Sequence, residues 1–175
     1  MLRIVEESQG GILRNLCKVC AVISNDSEAK GIRAALSKDI PAVVVNSDGK
    51  NQDLFENELL EKIKHWEPDY LILAGFMKIL SPKFVKLFPK RIINIHPADT
   101  KNHRGLNGYK WAFESKLNST KITVHFVDES LDGGEIIDQA EVDLIGIKSL
   151  EEVKKRGLAV EHEFYSLVLR RIFSS

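Results

Sequence analysis

The chain has little cysteine, no excess of either charge and no long apolar run, and each shortage removes a class of function. Its 175 residues carry 25 Lys+Arg against 25 Asp+Glu, a formal net charge of zero. That balance lacks the basic footprint of a nucleic-acid binder. The longest apolar run, 71–77, is far too short to span a bilayer. The opening Met1-Leu2-Arg3-Ile4-Val5-Glu6-Glu7 carries no apolar stretch of the export-signal kind. The two cysteines fall as Cys17-Lys18-Val19-Cys20, but no second ligand pair follows at zinc-site spacing. Cys20 instead opens an apolar run and reads as a small hydrophobe. Two cysteines in a chain of this kind fit a reducing, cytoplasmic setting. No Gly-x-Gly-x-x-Gly follows a strand, which removes the hydride-transfer signature. Metal catalysis has no ligand cluster behind it.

What is present is alternation. Short apolar runs at 19–24, 42–45, 70–74, 92–95 and 123–127 read as buried strands, with few charges and prominent Val and Ile. Between them lie helical stretches at 28–36, 54–66, 82–87 and 108–117. In the second of these, Phe55, Leu59, Ile63 and Trp66 are spaced by four, four and three. Pro82 after Ser81 suits a first helical residue. Ser149-Leu150-Glu151-Glu152 is a capping-box signature that opens a last helix. The stretch 1–15 reads as a helix interrupted at Gly10-Gly11. The pattern predicts one α/β domain over residues 1–175, an open, mostly parallel Rossmann-like sheet flanked by helices. Ligands of such sheets bind beyond the carboxyl ends of the strands.

One of those ends is unusual. Asn94-Ile95-His96-Pro97 closes the fourth run, and residues two apart on a strand point to the same side. Further on, Leu131-Asp132-Gly133-Gly134 offers a carboxylate and two glycines that let the backbone fold sharply or approach a ligand closely. An amide, a titratable ring and a carboxylate to orient that ring form a kit for acyl-type transfer. Taken alone, an Asn or His at a strand end is more often a loop hydrogen-bonder. His65, His103 and His125 read as structural, His125 because it lies within a strand.

Asn94, His96 and Asp132, together with Leu73-Ala74-Gly75-Phe76-Met77-Lys78-Ile79-Leu80 and Val124-His125-Phe126-Val127, resemble the folate-dependent formyltransferases. The resemblance runs from about Met1 to the Glu161-His162-Glu163-Phe164-Tyr165 stretch. It implies 10-formyltetrahydrofolate as co-substrate, no metal, and the amine of phosphoribosylglycinamide, a purine precursor, as acceptor. It implies Asn94, His96 and Asp132 as catalytic residues, with Asp132 raising the pKa of His96 so that His96 serves as general acid. By the same resemblance the backbone of Met77, Lys78, Ile79 and Leu80 binds the pterin. Leu73, Phe76, Val85, Ile92 and Val127 line the folate pocket beside Asn94, although such apolar residues are core by default. Gly75, Met77, Pro97 and Glu161 would face the acceptor, Glu161 through the ribose, although it also reads as part of a solvated charged face. The expected partners are small molecules, with neither nucleic acid nor membrane, for a monomer or homodimer. An acceptor such as an amino-sugar nucleotide, hydrolysis of the formylfolate, and a silent folate-binding protein stand as alternatives.

The chain departs from the family in three places. Relatives open with a strand and a Gly-x-Gly-Ser-Asn-type loop whose amides hold the substrate phosphate. Here Met1-Leu2-Arg3 matches the end of that loop, so the domain is expected to be N-terminally incomplete, lacking its first strand, with Met1 an internal methionine. The segment Ala98-Asp99-Thr100-Lys101-Asn102-His103-Arg104 replaces a Ser-Leu-Leu-Pro pattern before Gly105-Leu106. Gln52 stands where many members carry an arginine for the folate glutamate tail.

Overall fold

The computed structural model describes residues 1–174, in two compact units, Met1–Asp69 and Tyr70–Phe173. In the first, α1 (Leu2–Gly10) ends at the paired glycines. The Gly11 amide donates to the Glu7 carbonyl, and a Cβ on Gly11 would lie 1.8 Å from the Glu7 carboxylate, so a side chain is excluded there. Glu7 is held by Arg3 at 2.7 Å and accepts from the Ile12 amide. Strands β1 (Val22–Ser24) and β2 (Ala42–Val44) pair in parallel around α2 (Lys30–Leu36). Val5, Ala35 and Ile40 form the local core. Helix α3 (Gln52–Trp66) starts two residues before the predicted stretch because the Asn51 side chain accepts from the Leu54 amide. Its buried Phe55, Leu59 and Ile63 keep the predicted spacing.

The second unit holds the chemistry. Its elements are β3 (Leu71–Leu73), α4 (Pro82–Val85), β4 (Ile92–His96), α5 (Gly108–Glu114), β5 (Ser119–Phe126), β6 (Ile136–Asp143) and α6 (Leu150–Phe173). The sheet order is β3-β4-β5-β6. β3 and β4 are parallel, while β5 runs antiparallel to both β4 and β6, so three of the four strands point the same way. The α/β class and flanking helices agree with the sequence reading. β6 was not foreseen. It is an edge strand with Asp138, Glu141 and Asp143 along it, and a search for runs poor in charge passes over such a strand. Ala112, Ile122, Val142, Leu144 and Val153 pack α5 and α6 onto the hairpin.

Caps follow the sequence. Ser81 accepts from the Phe84 amide and Ser149 from the Glu152 amide. The Glu152 carboxylate reaches back to the Lys148 amide at 2.6 Å, one residue before the cap. The Tyr165 hydroxyl is shared between the carbonyls of Leu73 (3.0 Å) and Ile93 (2.9 Å), fixing α6 to the two strands that lead into the site. Among the described residues no helix is long and apolar enough to cross a membrane.

Candidate active site

Strand β4 sets the site by its period. Asn94 and His96 lie on one side at its carboxyl end, and the antiparallel register places His125 of β5 directly opposite Asn94. The turn 127–135 between β5 and β6 then returns Asp132 to the same place. Asp132 holds a left-handed backbone, φ 46°, which Asp tolerates better than most residues. Gly134 is required for a different reason. A Cβ there would lie 1.9 Å from the Phe126 carbonyl oxygen, so only glycine lets the turn close.

Four side chains converge. Asp132 Oδ2 is 3.4 Å from His96 Nδ1 and accepts the Gly105 amide at 2.8 Å. Asp132 Oδ1 is 3.5 Å from Asn94 Nδ2 and 3.7 Å from His125 Nε2. Asn94 Nδ2 also lies 3.3 Å from His125 Nε2. His125 Nδ1 donates to the Phe126 carbonyl at 2.9 Å, so in the neutral ring Nε2 is left to accept from Asn94. His125, read as structural from its strand position, is therefore part of the polar centre. The signal that could have found it is the alternation Thr123, His125 on one face of a strand paired to β4.

His96 is only 4% exposed, and its Nε2 is buried without a hydrogen-bond partner. Its Nδ1 faces Asp132, so Nε2 is the nitrogen left for another molecule. Burial pushes the imidazole below its ordinary value. Asp132 pulls it back only in part, and nearby His125 opposes that pull. The expected net rise is thus reversed: the contribution of Asp132 has the foreseen sign, but desolvation outweighs it. The Asp132 carboxyl is pushed up by burial, yet contacts from His125, the Gly105 amide and His96 hold it below the usual carboxylate value. Asn94 also differs from expectation. Its amide protons face His125 and Asp132, so a ligand oxygen must compete for them.

The loop that departs from the usual pattern is ordered by its own polar groups. Asp99 accepts from the Lys101 amide, Asn102 Nδ2 and Gln139 Nε2, and Gln139 also donates to Thr123. Arg104 Nε donates to the Thr100 carbonyl, which brings Gly105 to Asp132. His103 stacks on Trp111 with ring centroids 4.9 Å apart and lies 6.4 Å from the His96 ring.

The expected folate residues divide. Met77 and Ile79 are 71% and 66% exposed, with Lys78 also exposed and Leu80 half-buried. Leu73, Phe76 and Val127 are half-buried. Ile92 and Val85 are buried, and Ile92 at 0% offers no surface to a ligand; it is core, as an inward position of a central strand must be. Gly75 is exposed with φ 75°, and Pro97 is half-buried. Glu161 lies on α6, half-buried, where it accepts a hydrogen bond from Tyr109. Among the described residues no cluster of His, Cys, Asp or Glu could hold a metal ion.

A family model described as formyl transferase matches residues 4–169. The chain belongs to the formyl transferase family. Among curated relatives, this formyl transferase is 38% identical over 154 residues to the phosphoribosylglycinamide formyltransferase of Haemophilus influenzae, covering 87% of the chain and 73% of the relative. It is 36% identical over 152 residues to the Escherichia coli protein of the same name, covering 86% and 72%. The crystal structure of phosphoribosylglycinamide formyltransferase from Bacillus halodurans superposes with a TM-score of 0.93 at 28% identity, covering 99% of this formyl transferase and 89% of that chain.

Proposed function

We propose that the protein transfers the formyl group of 10-formyltetrahydrofolate to the amine of phosphoribosylglycinamide in purine biosynthesis. The observation that carries this reading is the orphaned Nε2 of His96. It is a buried polar atom with no protein partner, backed by Asp132 and lying on the same side of β4 as Asn94. A buried polar group left so is costly unless a ligand atom meets it. The exposed Met77 and Ile79 on the loop after β3 fit a flat, partly apolar ring, and the folate supplies an activated one-carbon unit there.

In this reading protonated His96 and the Asn94 amide donate hydrogen bonds to the formyl oxygen as negative charge develops on it. Such a donor is worth about 2.7–4 kcal/mol in the transition state. Asp132 stabilises the imidazolium against burial, and the His96–Asp132 pair carries the proton lost by the attacking amine to the departing nitrogen. A bond forms between amine nitrogen and formyl carbon, the bond from that carbon to the folate breaks, and the proton count is conserved. Glu161 would meet the acceptor away from the reacting atoms. The free thiols of Cys17 and Cys20 support a cytoplasmic setting.

The test is direct. Purified protein is mixed with 10-formyltetrahydrofolate and phosphoribosylglycinamide, following the folate absorbance and the mass of the ribonucleotide. Formylated ribonucleotide supports the reading. Formate release at the same rate without any amine replaces it with a hydrolase, preferential formylation of an amino-sugar nucleotide changes the acceptor, and folate binding without turnover leaves a silent binding protein.

A further inference from the structure

Helix α5 begins against the end of the catalytic strand. A Cβ on Gly108 would lie 2.6 Å from the Pro97 carbonyl oxygen, so this glycine lets the helix start beside the residue that follows His96. The next residue, Tyr109, lies across α6. Its ring occupies the space of a side chain at Gly157, where a Cβ would fall 2.2 Å from ring carbon Cε1 and 2.5 Å from the hydroxyl. One turn further along α6, Glu161 Oε1 accepts the Tyr109 hydroxyl. Burial and the Glu161 carboxylate push the phenol far above its ordinary range, so it stays protonated and donates. The second carboxylate oxygen, Oε2, makes no hydrogen bond among the described residues.

The arrangement is a half-buried carboxylate with one oxygen fixed and one open. Burial holds the Glu161 carboxyl above its ordinary value, against the Tyr109 hydroxyl and neighbouring His162, and a neutral hydroxyl can donate to the open oxygen. We infer that Tyr109 is the positioning residue for Glu161, holding its carboxylate so that Oε2 receives a hydroxyl of the acceptor's ribose. The inference rests on the acceptor proposed above. Glycine at 157 is part of the device, since any side chain there would displace the phenol that orients the carboxylate.

The test uses Tyr109→Phe, which keeps the ring on Gly157 and removes only the hydroxyl, with Glu161→Gln and the double variant. Steady-state formyl transfer is measured separately against the ribonucleotide and the formylfolate. Tyr109→Phe should raise KM for the ribonucleotide roughly tenfold, as loss of a hydrogen bond to a charged group does, leaving kcat and the KM for formylfolate within about twofold. The double variant should be no worse than Glu161→Gln alone, because both changes act through one carboxylate. A general structural role would lower kcat and affect both substrates. An unchanged ribonucleotide KM in Tyr109→Phe, or additive losses in the double variant, overturns the inference while leaving the function reading intact. Absence of transfer by the unaltered protein rejects that reading, and this inference with it.

Discussion

Replacing Asp132 with Asn isolates one charge while keeping the shape of the turn. The amide oxygen of Asn can still accept from the Gly105 backbone, so the loop contact at 2.8 Å is preserved in kind. What disappears is a negative charge 3.4 Å from His96 Nδ1. At an effective dielectric of ~20 that charge is worth about 5 kcal/mol to the imidazolium. Partial solvent access and competition from His125 reduce this, and we take roughly 1.4–2.7 kcal/mol, or about one to two pKa units. Burial already holds His96 below its ordinary value, with Asp132 the principal group opposing that shift. The variant therefore moves the ring further down. At neutral pH the protonated fraction falls roughly tenfold per unit lost, and formyl transfer falls with it by about 10- to 100-fold. The limb on which kcat declines with rising pH should move to lower pH by the same number of units. The measurement is kcat across pH 5.5–9 for both proteins, with folate binding and thermal unfolding as controls. Turnover within about threefold of the unaltered enzyme and an unmoved limb would falsify the assignment of Asp132 as the partner that favours the protonated form of His96.

Four further outcomes are expected. His125→Ala leaves Asn94 Nδ2 short of a partner and opens a small cavity, so it should cost roughly 2–4 kcal/mol in urea unfolding and reduce turnover more than folate binding. Gly134→Ala puts a Cβ 1.9 Å from the Phe126 carbonyl and should destabilise by about 1–3 kcal/mol with loss of activity. Gly146→Ala, at φ 77° with nothing within 4 Å, should cost only about 1 kcal/mol and leave activity intact. The carboxyls of Asp99 and Asp132 are both held below their ordinary value. Their contribution to stability is complete above the unfolded value near pH ~4 and is lost as pH falls through the lower folded values. Denaturant midpoints between pH 2.5 and 6 should show this loss, and Asp99→Asn should flatten it; an identical acid slope in that variant contradicts the role given to Asp99.

Local rules carried much of the chain. The side-chain caps at Ser81 and Ser149, the stop at Gly10-Gly11 and the spacing of Phe55, Leu59 and Ile63 each depend on residues a few positions apart, so they are legible in order along the sequence. The cap at Asn51 is missed by that reading, and the helix start reads two residues late. The shared side of Asn94 and His96 follows from the two-residue period of a strand, and the need for glycine at 134 from the sharpness of its turn. The tertiary structure decided the rest, because it depends on which distant segments meet. Antiparallel pairing of β5 with β4 turned His125 from a strand residue into a neighbour of Asn94 and Asp132. The charged β6 is a strand only because it has a partner on one side and solvent on the other. Burial of His96 set the direction of its titration against the pull of Asp132, and desolvation is a property of the packed surroundings, not of neighbouring letters. Tyr109 and Glu161 are 52 positions apart. Only the packing of α5 on α6, over a glycine, makes them one group.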